Sequence, residues 1–291
     1  MMKKILLVTM LALLAAVLVA CGSDNEETTE KAEGAEQKTI TFGVTPWTST
    51  VPPTKVAGLI LKEMGYEVVE TSADAGSVYT GLSRGDLDVF MDAWVPMHQT
   101  YLDKYEDNIS SISVSYPDGE TGWTVPAYME DINTVEDLKG REAEFGNNFY
   151  GIEAGAGATI ESNEILEAYD FDMKQVNSSE GGMLAQAQKM MANEEPIVFY
   201  GWRPHTMFNK FDLKVLTNEK GFFETSSVEV ITNNELKENA PEAYEFLSNW
   251  SITIDDVEEM IVKIEEGGDP EKVAQEWIDN NQDKVAEMTG K

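Results

Sequence analysis

The sequence predicts an α/β protein of two lobes, each built on a mostly parallel sheet, with a cleft between them; three observations predict it. Strand-like and helix-like stretches alternate from Thr39 to Met91, the same grammar restarts after residue 127, and Asn234 to Lys291 is nearly all helix. A chain of 291 residues is long enough for two compact bodies of roughly 100–150 residues each.

The first strand is Thr39-Ile40-Thr41-Phe42-Gly43-Val44, where polar and apolar residues alternate with period two. A helix follows, with Ser49 or Thr50 available as its cap, prolines tolerated in its first turn, and Val56, Leu59, Ile60 and Met64 on one face. Glu67 to Glu70 reads as a second strand, Val78 to Arg84 as a short helix, and Leu87 to Met91 as a buried strand. In the second lobe Thr134 and Asp137 are spaced as a capping box before a short helix. The strand at Phe149 to Ile152, a glycine-rich turn, helices over 162–170 and 181–195, and the apolar run Ile197 to Tyr200 complete the repeat. The helical tail, broken at Pro241 and at Gly267-Gly268, is expected to fold back on the first lobe. That makes the first lobe discontinuous, 39–127 with 226–291, around a second lobe of 128–225.

Residues 1–20 form a separate unit: Lys3 and Lys4, then an apolar run, then Leu18-Val19-Ala20 before Cys21. This reads as an export signal. Leu-Val-Ala-Cys resembles a bacterial lipobox, which makes Cys21 the expected lipidation site. Residues 21–38 are polar and lack aromatic residues, so they read as a disordered tether. The protein is expected on the extracytoplasmic face of a cell membrane, held by a lipid.

Composition removes several function classes. With 53 acidic against 21 basic residues and a formal charge of −32, the chain repels phosphate backbones, so nucleic acid is excluded as a partner. One cysteine and two histidines leave little material for zinc, a disulfide or a catalytic triad. Gly81-Leu82-Ser83-Arg84-Gly85 has GxSxG spacing but falls at the end of the helix expected over 78–84 rather than in a strand-to-helix turn, so it is not a nucleophile elbow, and no P-loop is present. No catalytic residue, metal or cofactor is expected.

The distinctive constellation is aromatic. Of six tryptophans, Trp47, Trp94 and Trp202 are expected just past the ends of three strands, each beside a proline or glycine. In open α/β sheets the carboxyl ends of strands face the ligand crevice. Trp250 and Trp277 follow the spacing of a helix core, and Trp123 sits near the expected crossover between lobes. Three indoles on one space suit a quaternary ammonium, which has no N–H to donate and is held by dispersion and by the negative faces of rings. If that ligand also carries a carboxylate, the turn Gly155-Ala156-Gly157-Ala158-Thr159 offers the N–H groups of Gly157 and Ala158 at a helix start. His98, four residues after Trp94, adds a side-chain donor; His205 offers the same chemistry without supporting neighbours.

The stretches 47–68, 77–105 and 199–216, with Gly-Trp-x-Pro-His-x-Met-Phe beside a Trp-x-Pro motif, resemble the substrate-binding proteins of osmoprotectant ABC importers. Those for glycine betaine are the best match. The resemblance implies a two-lobe periplasmic-binding-protein fold, type II-like, that closes on ligand in the interlobe cleft. It implies a prism of Trp47, Trp94 and Trp202 around a trimethylammonium, with the carboxylate on the amides of Gly157 and Ala158 and on His98. The implied partners are an ABC permease and its ATPase. Carnitine, choline or proline betaine are alternative ligands; a choline-ester hydrolase and a purely structural surface lipoprotein are alternatives of other classes.

Overall fold

Chain order alternates strand and helix from the outset. The structure, a computed structural model, describes residues 38–291; the expected leader, Cys21 and all but the last residue of the expected tether lie outside the described residues. The elements are β1 (Thr39–Val44), α1 (Val51–Glu63), β2 (Glu67–Ser72), α2 (Ala75–Arg84), β3 (Val89–Val95), α3 (Gln99–Lys104) and β4 (Ile109–Pro126). Then come β5 (Asn148–Gly151), α4 (Gly157–Ala168), β6 (Lys174–Asn177), α5 (Glu180–Met191), β7 (Phe199–Arg203), α6 (Met207–Lys210) and β8 (Leu213–Val215). The chain closes with β9 (Ser226–Asn233), α7 (Leu236–Asn239), α8 (Pro241–Ser248), α9 (Ile254–Glu265), α10 (Pro270–Asn280) and α11 (Gln282–Thr289). None of the described helices is long and apolar enough to cross a membrane.

The strands run in the order β2-β1-β3-β9-β4-β7-β5-β6, with β8 also on β4. Parallel pairs lie at both ends: β1 with β2 and β3, and β5 with β6 and β7. The centre is antiparallel, because β9 pairs with β3 and β4, and β4 with β7. The sequence reading found β1, β2, β3, β5 and β7, and missed β4, β6, β8 and β9. β4 carries Pro117-Asp118-Gly119, which reads as a turn; the strand absorbs it through a register shift between Tyr116 and Gly119, with Asp118 at φ 63°. β4 therefore serves two halves of the sheet: Ile109 to Gly119 pair with β9, and Glu120 to Pro126 pair with β7 and β8.

Local chemistry explains the element ends. α1 starts on Pro52-Pro53, but neither expected cap residue bonds its N-terminus; Ser49 and Thr50 both turn their hydroxyls to buried Asp92. Thr134 and Asp137 do exchange the reciprocal bonds of a capping box, at 2.8 and 3.2 Å, although the element they open is a single 3-10 turn rather than an α-helix. The helical tail packs on the first half: α10 and α9 lie against α1, Ser113 in β4 donates to Leu247 O, and Ile252 donates to Ser115 O. Trp250 and Trp277 are buried in that tail. Trp123 is core to the second half, stacked on Phe149 at 4.2 Å with its indole N–H on Ser162 Oγ at 3.0 Å.

Candidate functional site

Where the two halves of the sheet meet, one cavity opens with about 300 Å3 of empty space, part of it open to solvent. Its lining includes Trp47, Trp94, Trp202, His98, Gly157 and Ala158, all six residues that sequence analysis put forward. Ser49, Met97, Ile152, Ala156 and Tyr200 complete it, and no carboxylate is among them. The three indoles are 4–5% exposed and His98 is 1% exposed, so the rings are largely screened from bulk solvent.

Only Trp47 stands past a strand end, between β1 and the turn that opens at Thr48. Trp94 and Trp202 lie inside β3 and β7, where sequence analysis expected strands that stop earlier. The reason is pairing: β9 keeps hold of β3 through Trp94↔Val228 and Val95↔Ser227, and β4 holds β7 through Thr121↔Trp202. Both rings are thus fixed by a ladder rather than carried on a loop.

Each indole is fixed in its own way. Trp94 donates its ring N–H to Asp92 Oδ1 at 3.1 Å and packs on the bare backbone of Gly119, where a β-carbon would stand 2.7 Å from the ring. Trp47 donates its ring N–H to Glu153 Oε1 at 2.7 Å. Trp202 stacks on Tyr200 with ring centroids 5.7 Å apart and lies in a T-shaped contact with His205 at 4.7 Å.

Asp92 is fully buried, and burial raises its carboxyl to about 6 against hydrogen bonds from Thr50, Ser49, Trp94 and Tyr116. Burial raises Glu153 as well, against its bond from Trp47. Sequence analysis missed both. The available signal for Asp92 was a lone carboxylate beside the apolar run Val89-Phe90-Met91, a place where a charge is costly unless it is hydrogen-bonded.

His98 is held in one tautomer. Its Nδ1 accepts the Trp94 backbone N–H at 3.2 Å and lies 3.1 Å from the Tyr79 hydroxyl, so the proton resides on Nε2. Burial lowers its pKa to about 3, which keeps the ring neutral and a donor at Nε2. Gly157 and Ala158 are the first two residues of α4, whose opening N–H groups have no acceptor inside the helix. Ala156, at the cap position, has no side-chain oxygen to offer them. The cavity therefore brings together aromatic rings suited to a cation and N–H donors suited to an anion, with the Trp47 and His98 rings 5.9 Å apart.

A groove beside the cavity shares Met97 and Gly157 with it and adds Glu161, Glu164 and Glu224. Several bonds tie the two halves: Trp47 to Glu153, Thr48 to Glu180, and Tyr101 to the Gly155 carbonyl at 2.8 Å. Thr206 and Lys210 of the second half also bond Glu265 of α9.

Comparison with known proteins agrees with this fold. Residues 38–280 match the family model described as the substrate binding domain of ABC-type glycine betaine transport systems. A glycine betaine/carnitine transport binding protein, GbuC, from Listeria monocytogenes is 39% identical over 143 residues; the match spans 48% of each chain, about half the length of that relative. The crystal structure of lactococcal OpuAC, closed and complexed with glycine betaine, is 32% identical with a TM-score of 0.82, over 87% of this chain and all of that one. An ABC-transporter choline binding protein in complex with choline is 26% identical with the same TM-score of 0.82, over 87% of this chain and 91% of that one. These likenesses assign the mixed α/β fold to the two-lobe periplasmic substrate-binding architecture. With most of its length matched by the family model, this chain belongs to the substrate-binding domains of ABC-type glycine betaine transport systems.

Proposed function

We infer that the cleft captures glycine betaine and that the chain passes it, chemically unchanged, to an ABC permease driven by an ATPase. One observation carries this reading: three indoles from separate segments line a cavity that has no carboxylate in its wall. A primary ammonium there would find no carboxylate to pair with, whereas a quaternary one needs no hydrogen-bond acceptor. Each ring contact contributes about 0.5–2 kcal/mol, so three supply roughly 1.5–6 kcal/mol, and hydrogen bonds to the ligand carboxylate together with burial of its methyl groups supply the remainder. The ligand carboxylate is assigned to the N–H groups of Gly157 and Ala158 and to His98 Nε2.

Several features support the rest of the reading. The sheet changes partners within β4 at Gly119-Glu120, a natural hinge, so the first crossing between the proposed lobes is set there rather than at the expected 127, with 226–291 returning to the first lobe. Ser49, the one serine in the cavity wall, gives its hydroxyl to Asp92 rather than to a histidine, which favours a receptor over an ester hydrolase. The lipobox-like residues support anchoring through Cys21 at the extracytoplasmic face.

Choline is the second reading, since the solved choline complex shares this fold. It would leave the α4 amides without an anion, which favours the zwitterion. The test is calorimetric titration of the full-length chain in detergent with glycine betaine, carnitine, proline betaine, choline and proline, repeated with Trp202→Ala. Glycine betaine is expected to give the largest heat, and Trp202→Ala to weaken it by more than about tenfold. Absence of heat and thermal shift with glycine betaine would overturn the reading.

A further inference from the structure

Glu180 opens α5 behind Ser179, whose side chain caps the helix, so the carboxylate sits in a first turn that favours negative charge. It is 6% exposed and both its oxygens are engaged. Oε1 stands 3.0 Å from His205 Nε2, and Oε2 accepts the Thr48 backbone N–H at 3.0 Å. His205 Nδ1 accepts from Met207 N–H at 2.9 Å, so the ring proton lies on Nε2 and is donated to Glu180. His205 in turn makes a T-shaped contact with Trp202, and Thr48 directly follows Trp47. Glu180 is absent from the cavity wall, yet it is bonded to the segment that carries one indole and to the ring that backs another. Glu265 lies within 4.8 Å of this pair but is already taken by Thr206 and Lys210, which makes the cluster a hydrogen-bonded bridge rather than an open cation site.

We propose that Glu180 is a positioning residue that latches the closed cleft by capturing the Thr48 N–H, fixing the Trp47 wall against the Trp202 wall at the spacing a quaternary ammonium requires. The proposal rests on the betaine reading of the cavity. Thr48 belongs to the first half and Glu180 to the second, so the bond exists only when the halves meet. In the open state water takes its place. A hydrogen bond to an ionised acceptor is about twice as strong as a neutral one, and here it adds to the closed state alone. Its effect therefore falls on ligand escape rather than on encounter.

Thr48→Pro isolates the latch. Trp47 is extended, with φ −100° and ψ 143°, which is allowed before proline, and position 48 opens a helical turn where proline's φ fits. The substitution removes the N–H and leaves the Glu180–His205 bond in place. With stopped-flow tryptophan fluorescence on the full-length chain, glycine betaine should dissociate about tenfold faster, with association within about twofold of wild type. The unfolding midpoint without ligand should stay within about 2 °C. Glu180→Ala should speed dissociation similarly and add little in a Thr48→Pro background, and Glu180→Gln, which keeps an acceptor oxygen, should recover part of the loss. A Thr48→Pro chain that binds and releases ligand at the wild-type rate would overturn the latch while leaving the betaine reading intact. If the wild type takes up none of the amines, the betaine reading fails. The cross-cleft bond is then judged by hydrogen exchange in the peptide over 45–50: faster exchange in Glu180→Ala sustains it, and equal exchange refutes it.

Discussion

Gly157 faces His98 across the cleft so closely that a β-carbon on Gly157 would stand 2.7 Å from His98 Cδ2 and 2.6 Å from Met97 Cγ. The first residue of α4 and the donor ring of the other half are thus brought together only because one of them has no side chain. Gly157→Ala should hold the cleft ajar and lower affinity for glycine betaine about a hundredfold or more, because the clash includes a ring and the Met97 carbonyl at 3.0 Å. The clash is between halves, so the unfolding midpoint should move by no more than about 3 °C. Calorimetry and thermal unfolding together check this; wild-type affinity would contradict it.

His98 should distinguish zwitterions from simple cations. His98→Ala is expected to weaken glycine betaine about tenfold to a hundredfold, as for a lost hydrogen bond to a charged group, and choline by less than about threefold. Competition titration reads the difference, and equal losses would show that the ring does not meet the carboxylate. The ring should also stay neutral in 15N NMR spectra between pH 5 and 8, because burial holds its pKa at about 3. Since the folded value lies below the ordinary 6.5, unfolded chains bind more protons between the two, and this contribution to stability is lost as pH falls through that window.

Asp92 predicts the opposite slope. Its folded pKa, about 6, exceeds the ordinary 3.8, so the folded protein holds the extra proton between these values and this contribution declines as pH rises from 4 to 6. Asp92→Asn cannot ionise. The difference in unfolding midpoint should therefore shift in favour of the variant by several degrees between pH 4 and pH 7, whatever constant offset the amide introduces. A pH-independent difference would show that Asp92 titrates normally. The variant should also weaken ligand binding, because Asp92 orients Trp94 and holds Ser49 and Thr50.

Salt should separate rate from affinity. The chain carries a charge of −32, and Glu161, Glu164 and Glu224 line the groove beside the cavity, so cations are enriched at the mouth. Ring contacts in a buried cage are screened far less than this surface field. Between low and molar salt the association rate is expected to fall, with the dissociation constant changing by less than about fivefold. A large loss of equilibrium affinity would place the dominant attraction at the acidic surface.

What the sequence by itself determined was local. The period of Thr39 to Val44, the prolines opening α1, the Thr134–Asp137 exchange and the helical tail are interactions between residues close in the chain, and each was legible there. Trp47, Trp94, Trp202, His98, Gly157 and Ala158 were legible as unusual chemistry beside stiffening residues. Tertiary structure decided that these six share one cavity. It extended β3 and β7 through their tryptophans by pairing them with β9 and β4, ran one strand through Pro117-Asp118-Gly119, and gave Asp92, Glu153 and Glu180 their partners. Those partners lie 106 positions away for Glu153 and 132 for Glu180, so no local spacing encodes them. Hydrogen bonds of that reach become favourable only after burial has removed competing water, which is a property of the assembled fold rather than of any segment.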